Sequence, residues 1–145
     1  MHYDGSFDLT APKEKVYDFI TDPMKLTTIF PAVRSVKIID EDNFTLEARV
    51  GTSFIGGTVQ VRGSMTDKKR PTQAKLNAHG TGFNSTIHLE STFTMEDGEK
   101  GGTHVSWAAD VTMSGMLTRV GPRVVDSAAD KYVKQIMESL EQKLS

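Results

Sequence analysis

The stretch SGMLTRVGPRVVDSAADKYV, residues 114–133, decides the fold, because here a long run of two-residue alternation gives way to a helical period. Met116, Leu117, Val120, Val124, Ala128, Tyr132, Ile136 and Leu140 fall on one stripe, which predicts a single long helix closing the chain. Gly121-Pro122 stands inside that stripe. A proline in a helix interior removes a backbone donor and presses on the carbonyl four residues earlier, here Thr118, at a cost of about 3 kcal/mol. Two local structures meet the pattern: one bent helix, or a fresh helix with Gly121 as cap and Pro122 as its first residue. Val120 and Val124 keep phase across the pair, which favours the bend.

Upstream, Tyr3, Gly5, Phe7 and Leu9 alternate with His2, Asp4, Ser6 and Asp8, the pattern of a half-buried strand. Thr10 or Ala11 then caps a short helix that has Pro12 in its first turn and Val16, Tyr17, Phe19 and Ile20 on its apolar face. Asp22-Pro23 starts a second, with Met24, Leu26, Ile29 and Phe30 apolar before Pro31 stops it. From Val33 to Met113 the period is two, and turn clusters at Asp40–Asn43, Thr52-Ser53, Asp67–Pro71, Gly80–Asn84 and Asp97–Gly102 divide it into six strands in a meander. This order is α+β, with the long helix lying on the apolar face of an antiparallel sheet. With 145 residues and neither repeat nor linker, residues 1–145 read as one domain.

Alternation sorts the strand residues into two faces. Phe44, Leu46 and Ala48, then Val59, Val61, Gly63 and Met65, then Ala74, Leu76, Ala78 and Gly80 share the apolar parity. So do Ile87, Leu89, Ser91, Phe93 and Met95, and Val105, Trp107, Ala109, Val111 and Met113, while nearly all charges take the other. Gly63, Ala74, Ala78, Gly80, Ser91 and Ala109 are small, and small residues on an inner face either let a helix approach or leave a ligand space between sheet and helix. The pattern leaves both open.

Several function classes are excluded on the same terms. A net charge of −2 gives no case for nucleic acid, and Lys68-Lys69-Arg70 before Pro71 reads as a solvated turn. The absence of cysteine excludes disulfides, thiolate metal sites and a cysteine nucleophile. His2, His79, His88 and His104 all take the outward parity, so no metal site is expected, and the turn carboxylates lack the loop pattern of a calcium site. Gly80-Thr81-Gly82-Phe83-Asn84-Ser85 precedes a strand, so it offers no helix N-terminus to a dinucleotide phosphate. The N-terminus MHYDGSFDLT has no signal-peptide pattern and no segment is apolar enough to span a membrane, so a cytoplasmic protein is expected.

Three segments carry a family likeness: GSFDLTAPKEKVYDFITDPMKLTTIFPAVRSV, FIGGTVQVRGSM and SWAADVTMSGMLTRVGPRVVDSAADKYVKQIMESLEQKL. They resemble the carbon monoxide dehydrogenase G-subunit family of START-like, Bet v 1-like proteins. The most specific pieces are Asp22-Pro23, Phe30-Pro31 and the glycine-bearing start of the final helix with Asp126. The resemblance implies a helix-grip fold, a curved seven-stranded antiparallel sheet around a long C-terminal helix with two short helices after strand 1, enclosing an apolar cavity. It also implies a non-enzymatic protein associated with molybdenum hydroxylases such as carbon monoxide dehydrogenase, in assembly, membrane recruitment or the handling of a lipophilic molecule such as a quinone; with the apolar inner face, the expectation is a carrier of a lipid or quinone, auxiliary to such an enzyme and with no cofactor of its own. Some members carry a C-terminal tail thought to reach the membrane; this sequence ends at Ser145, so at most peripheral membrane contact is expected.

On this footing the expected ligand-lining residues are Phe44, Leu46, Val61, Leu76, Ala78, Leu89, Trp107, Ala109, Leu117 and Val124, with Gly121 and Pro122 at the cavity mouth. Two rival functions use other residues. A cyclase-like enzyme on the same fold needs polar groups inside, for which Ser91, Tyr17, Tyr132 and Arg119 are the candidates. An assembly factor with an incidental cavity needs an exposed apolar patch, with Arg119 and Arg123 to meet an acidic partner.

Overall fold

The computed structural model describes residues 1–51 and 56–144. The expected turn at Thr52-Ser53 lies outside them. In chain order the elements are β1 (His2–Leu9), α1 (Lys13–Thr21), α2 (Pro23–Leu26), β2 (Val33–Ile38), β3 (Asn43–Gly51), β4 (Gly56–Lys69), β5 (Gln73–Gly82), β6 (Ser85–Asp97), β7 (Thr103–Gly115) and α3 (Pro122–Leu144). Asp22 begins α2 by accepting the Met24 amide on its side chain at 3.0 Å, and Pro23 takes the first helical position, where its missing N–H costs nothing. Met24, expected on an apolar face, is exposed, because the single turn of α2 presents Pro23 and Leu26 inward and leaves Met24 on its outer side.

The seven strands form one antiparallel sheet in the order β1-β7-β6-β5-β4-β3-β2. The meander pairs each strand with the next, and β1 closes on β7 at one edge while α1 and α2 carry the chain across to β2 at the other. This is the helix-grip architecture. Register keeps the predicted inner parity in phase across the sheet: Tyr3, Ala109, Ser91, Leu76 and Met65 form one cross-strand row, and Gly5, Trp107, Phe93 and Ala74 the next. A one-residue slip at any pair would turn that face to solvent, so the alternation itself specifies the register.

The tightest core sits at one end of this sheet, where Val16 and Ile20 of α1 meet Phe44, Met95 and Val105, and where Leu140 and Leu144 seat the last turns of α3. Thr103, fully buried, donates its hydroxyl to the Ala11 carbonyl at 2.7 Å and ties β7 to the link before α1. Gly63 is small because the Phe44 ring occupies the place its side chain would take.

The start of α3 corrects the bent-helix reading. Met116–Arg119 form a short 3-10 turn, Val120 is extended, and α3 begins afresh with Pro122 as its first residue. Val124 is consequently 58% exposed and Ala128 is exposed too, while Val125, Ala129, Tyr132, Val133, Ile136, Met137 and Leu140 turn toward the protein. The break lets the inward stripe re-phase. Pro122→Ala is therefore expected to leave α3 in place and to cost only about 0.5–1 kcal/mol through the freer unfolded chain; a changed far-UV helical signal would contradict the restart.

Candidate functional site

A pocket of about 340 Å³ lies between the inner face of the sheet and α3. Its floor is built from three adjacent rows of the sheet, including Leu76, Leu89, Ser91, Phe93, Trp107 and Ala109. Ala129, Tyr132, Val133, Ile136 and Met137 of α3 form its roof, and Ile20, Leu26, Ile29 and Phe30 close the end covered by the short helices. No Asp, Glu, Lys, Arg or His is among these lining residues. The space arises because α3 is seated deeply only at Leu140 and Leu144, while opposite its earlier turns the sheet presents Ser91 and Ala109, too short to fill the gap.

A second hollow of about 320 Å³ runs outside, between β1 at Tyr3–Ser6 and α3 at Ala129, Asp130, Val133, Lys134 and Met137. Tyr3, Trp107, Ala129, Val133 and Met137 line both, so these side chains are the partition between pocket and exterior. Tyr3 also fastens the sheet edge to the helix: its hydroxyl donates to Asp126 Oδ1 at 2.8 Å. That bond to a carboxylate holds the Tyr3 phenol above its ordinary pKa. The Trp107 indole lies against Gly5 of the edge strand, where a Cβ would come within 3.1 Å of the ring.

The structure divides the expected lining residues. Leu76, Leu89, Trp107 and Ala109 face the pocket. Phe44 and Leu46 are instead buried in the core, Phe44 with its ring across Gly63, and Val61 packs against the same cluster. Ala78 is half-buried outside the lining. Leu117 sits in the 3-10 turn and Val124 points to solvent, both displaced from the pocket by the break before α3. Gly121 and Pro122 are exposed and do not line it either. The expected set omitted the roof residues Ala129, Val133 and Met137, each one position beyond the predicted stripe, and the end wall from the short helices; the apolar faces of those helices were the available signal.

Polar candidates are similarly dispersed. Ser91 and Tyr132 reach the pocket, whereas Tyr17 is buried in the core, where desolvation holds its phenol above the usual range, and Arg119 is exposed. The histidines lie on the outer parity. His79 and His88 pair across β5 and β6 with ring centroids 6.2 Å apart, His104 meets Asp8 at 2.8 Å, and His2 contacts Asp110 and Asp4 at 2.8 and 3.0 Å, which raises its pKa. The basic run also finds acidic neighbours: Lys68 pairs with Asp42, and Arg70 grips Asp18 with two bonds of 2.9 and 3.0 Å. Met116, Val120 and Val124 remain exposed beside Arg119 and Arg123.

Among the described residues no group of three or more His, Asp or Glu side chains gathers to hold a metal ion. No helix among them is long and apolar enough to cross a membrane. A comparison with curated proteins gives no match. Solved structures share the fold: a conserved protein of Geobacillus kaustophilus superposes with a TM-score of 0.90 at 19% identity, covering 99% of this chain and 95% of that one. A START superfamily protein of Mycobacterium smegmatis superposes at 0.77 with 13% identity, covering 99% and 96%. The model of the family described as the carbon monoxide dehydrogenase G-subunit (CoxG) matches residues 5–145. With that match running through the sheet, the short helices and all of α3, the chain belongs to the CoxG family, that of the carbon monoxide dehydrogenase G-subunit.

Proposed function

We propose that the protein is a non-enzymatic carrier that holds a hydrophobic or amphipathic small molecule, a lipid or a quinone, between the sheet and α3. The family and the START-like fold suggest ligand binding or carriage, and one observation carries the reading here: the lining is almost wholly apolar, with no charge to oppose an apolar guest. Removing about 300 Å² of apolar ligand surface from water would contribute about 7.5 kcal/mol at 25 cal/mol per Å², before the entropy of association is subtracted. The scatter of Ser91, Tyr17, Tyr132 and Arg119 supports carriage over a cyclase-like reaction. The family's name supports a carbon monoxide dehydrogenase-type molybdenum hydroxylase as the enzyme that such a carrier would serve.

Native mass spectrometry of the purified protein, followed by solvent extraction, tests this: a co-purifying lipid or quinone, or its uptake from an added mixture, is expected. Repeated failure to bind any such compound would reject the carrier. A second reading, docking on a partner protein, is favoured by the exposed Met116, Val120 and Val124 flanked by Arg119 and Arg123, and it predicts a partner that co-purifies whether or not the pocket is filled.

A further inference from the structure

Four polar side chains are buried among the described residues: Thr27, Ser85, Ser91 and Thr103. Three of them are satisfied within the protein. Thr27 donates to the Pro23 carbonyl at 2.8 Å, Thr103 to that of Ala11 at 2.7 Å, and Ser85 donates to the Phe83 carbonyl at 3.0 Å while accepting the Leu117 amide at 2.9 Å. Ser91 is 5% exposed and lines the pocket, yet its hydroxyl bonds to no described residue. A hydroxyl that opens onto an apolar pocket without a protein partner is free to bond what enters there.

Ser91 lies mid-row between Leu76 and Ala109, with Tyr3 beyond, under the part of α3 that stands away from the sheet. Around it are apolar side chains together with the Trp107 indole, which only donates, and the Tyr132 phenol. Nothing there carries a formal charge, so a carboxylate brought to Ser91 would be desolvated without a counter-ion. A neutral oxygen that accepts a hydrogen bond meets no such penalty and satisfies the idle donor.

We infer that Ser91 is a specificity-determining residue: it hydrogen-bonds an uncharged acceptor, such as a carbonyl oxygen, carried within the apolar body of the ligand, and the pocket thereby prefers neutral oxygen-bearing apolar molecules to both plain hydrocarbons and ionised fatty acids. This rests on the carrier reading above and narrows the ligand class for the same pocket.

The chain's single tryptophan, Trp107, lines the pocket and reports occupancy by its emission. Titrations would compare a long-chain methyl ketone, the alkane of equal length and the matching fatty acid at neutral pH, against the wild type and Ser91→Ala. The expected result is ketone binding about five- to tenfold tighter than alkane to the wild type, fatty acid weakest, and in S91A a ketone affinity reduced to that of the alkane while alkane binding is retained. Because the variant deletes an unpaired hydroxyl, the melting temperature of unliganded S91A is expected to equal or exceed that of the wild type, whereas a purely structural serine would lower it. Equal ketone and alkane affinities in the wild type, or a ketone preference that survives in S91A, would overturn the role of Ser91 and leave the carrier standing. Binding of none of the three probes would overturn both.

Discussion

Replacing Ala109 by phenylalanine is expected to weaken ligand binding roughly fifty- to hundredfold while leaving the protein folded. Ala109 sits on the pocket floor between Ser91 and Tyr3, with α3 opposite, so a ring placed there projects into the space a ligand would occupy. Excluding about 100 Å² of ligand contact removes about 2.5 kcal/mol at 25 cal/mol per Å², which is roughly a fifty- to hundredfold loss of affinity. The ring would also supply packing atoms that the empty site lacks, so the melting temperature of the unliganded variant should hold or rise. Trp107 emission reads the binding and calorimetry reads the stability. Ala129→Phe, entering from the roof, should reproduce the binding loss. Tight binding retained in both variants would place the ligand elsewhere.

The second large effect is expected at Gly115, where β7 ends. Its φ of +87° lies in the left-handed region, and a Cβ there would overlap the Asn84 carbonyl oxygen and approach Ser85 Cα to 2.8 Å. The obstruction is backbone on both sides, so no side-chain rotation relieves it. Gly115→Ala combines the conformational penalty with displacement of the β5–β6 turn, at about 3 kcal/mol or more, and is expected to lower the melting temperature by about 10 °C. Gly101 is the internal control: its φ is +78°, but nothing lies within 4 Å of the added atom. Gly101→Ala should therefore carry the backbone penalty alone, about 1 kcal/mol. Equal destabilisation by the two substitutions would show that the clash with Asn84 contributes nothing.

Local pattern carried the sheet because strand alternation and register express the same fact. Once Leu76, Ser91 and Ala109 take one parity, antiparallel pairing aligns them, and the inner face follows from residues a few positions apart. The two short helices were legible for a similar reason, since Asp22-Pro23 is a start signal that acts within one turn. Gly121-Pro122 was harder. Apolar spacing reports which residues would share a face if the helix were continuous, and is silent on whether its hydrogen bonds continue; here they do not, and the stripe through Val120 and Val124 was illusory. The proline itself carried the better signal, because it costs nothing at a first helical position.

The pocket was only partly legible because inner-face residues look alike in sequence whether they meet protein or empty space. Phe44 and Trp107 are both inward aromatics; one fills the place above Gly63, while the other borders the pocket beside Gly5. The difference lies in what covers each ring: Phe44 belongs to the buried core cluster, whereas Trp107 borders the space left between the sheet and α3, and neither neighbourhood is local in sequence. Small residues were ambiguous for the same reason: Gly63 is covered and Ala109 is not.

Pairing of β1 with β7 also fixes an order of assembly. The meander from β2 onward can zip strand by strand, each hairpin closing a short loop, but the first strand has no neighbour until nearly all the others exist. Tyr3 then waits longer still, for Asp126, 123 residues away. Contacts of such separation close late, because the loop entropy must be met before the contact returns anything. The pocket therefore acquires its walls before its door: a nascent or partly unfolded chain can hold most of its sheet and still have no enclosed space beneath α3.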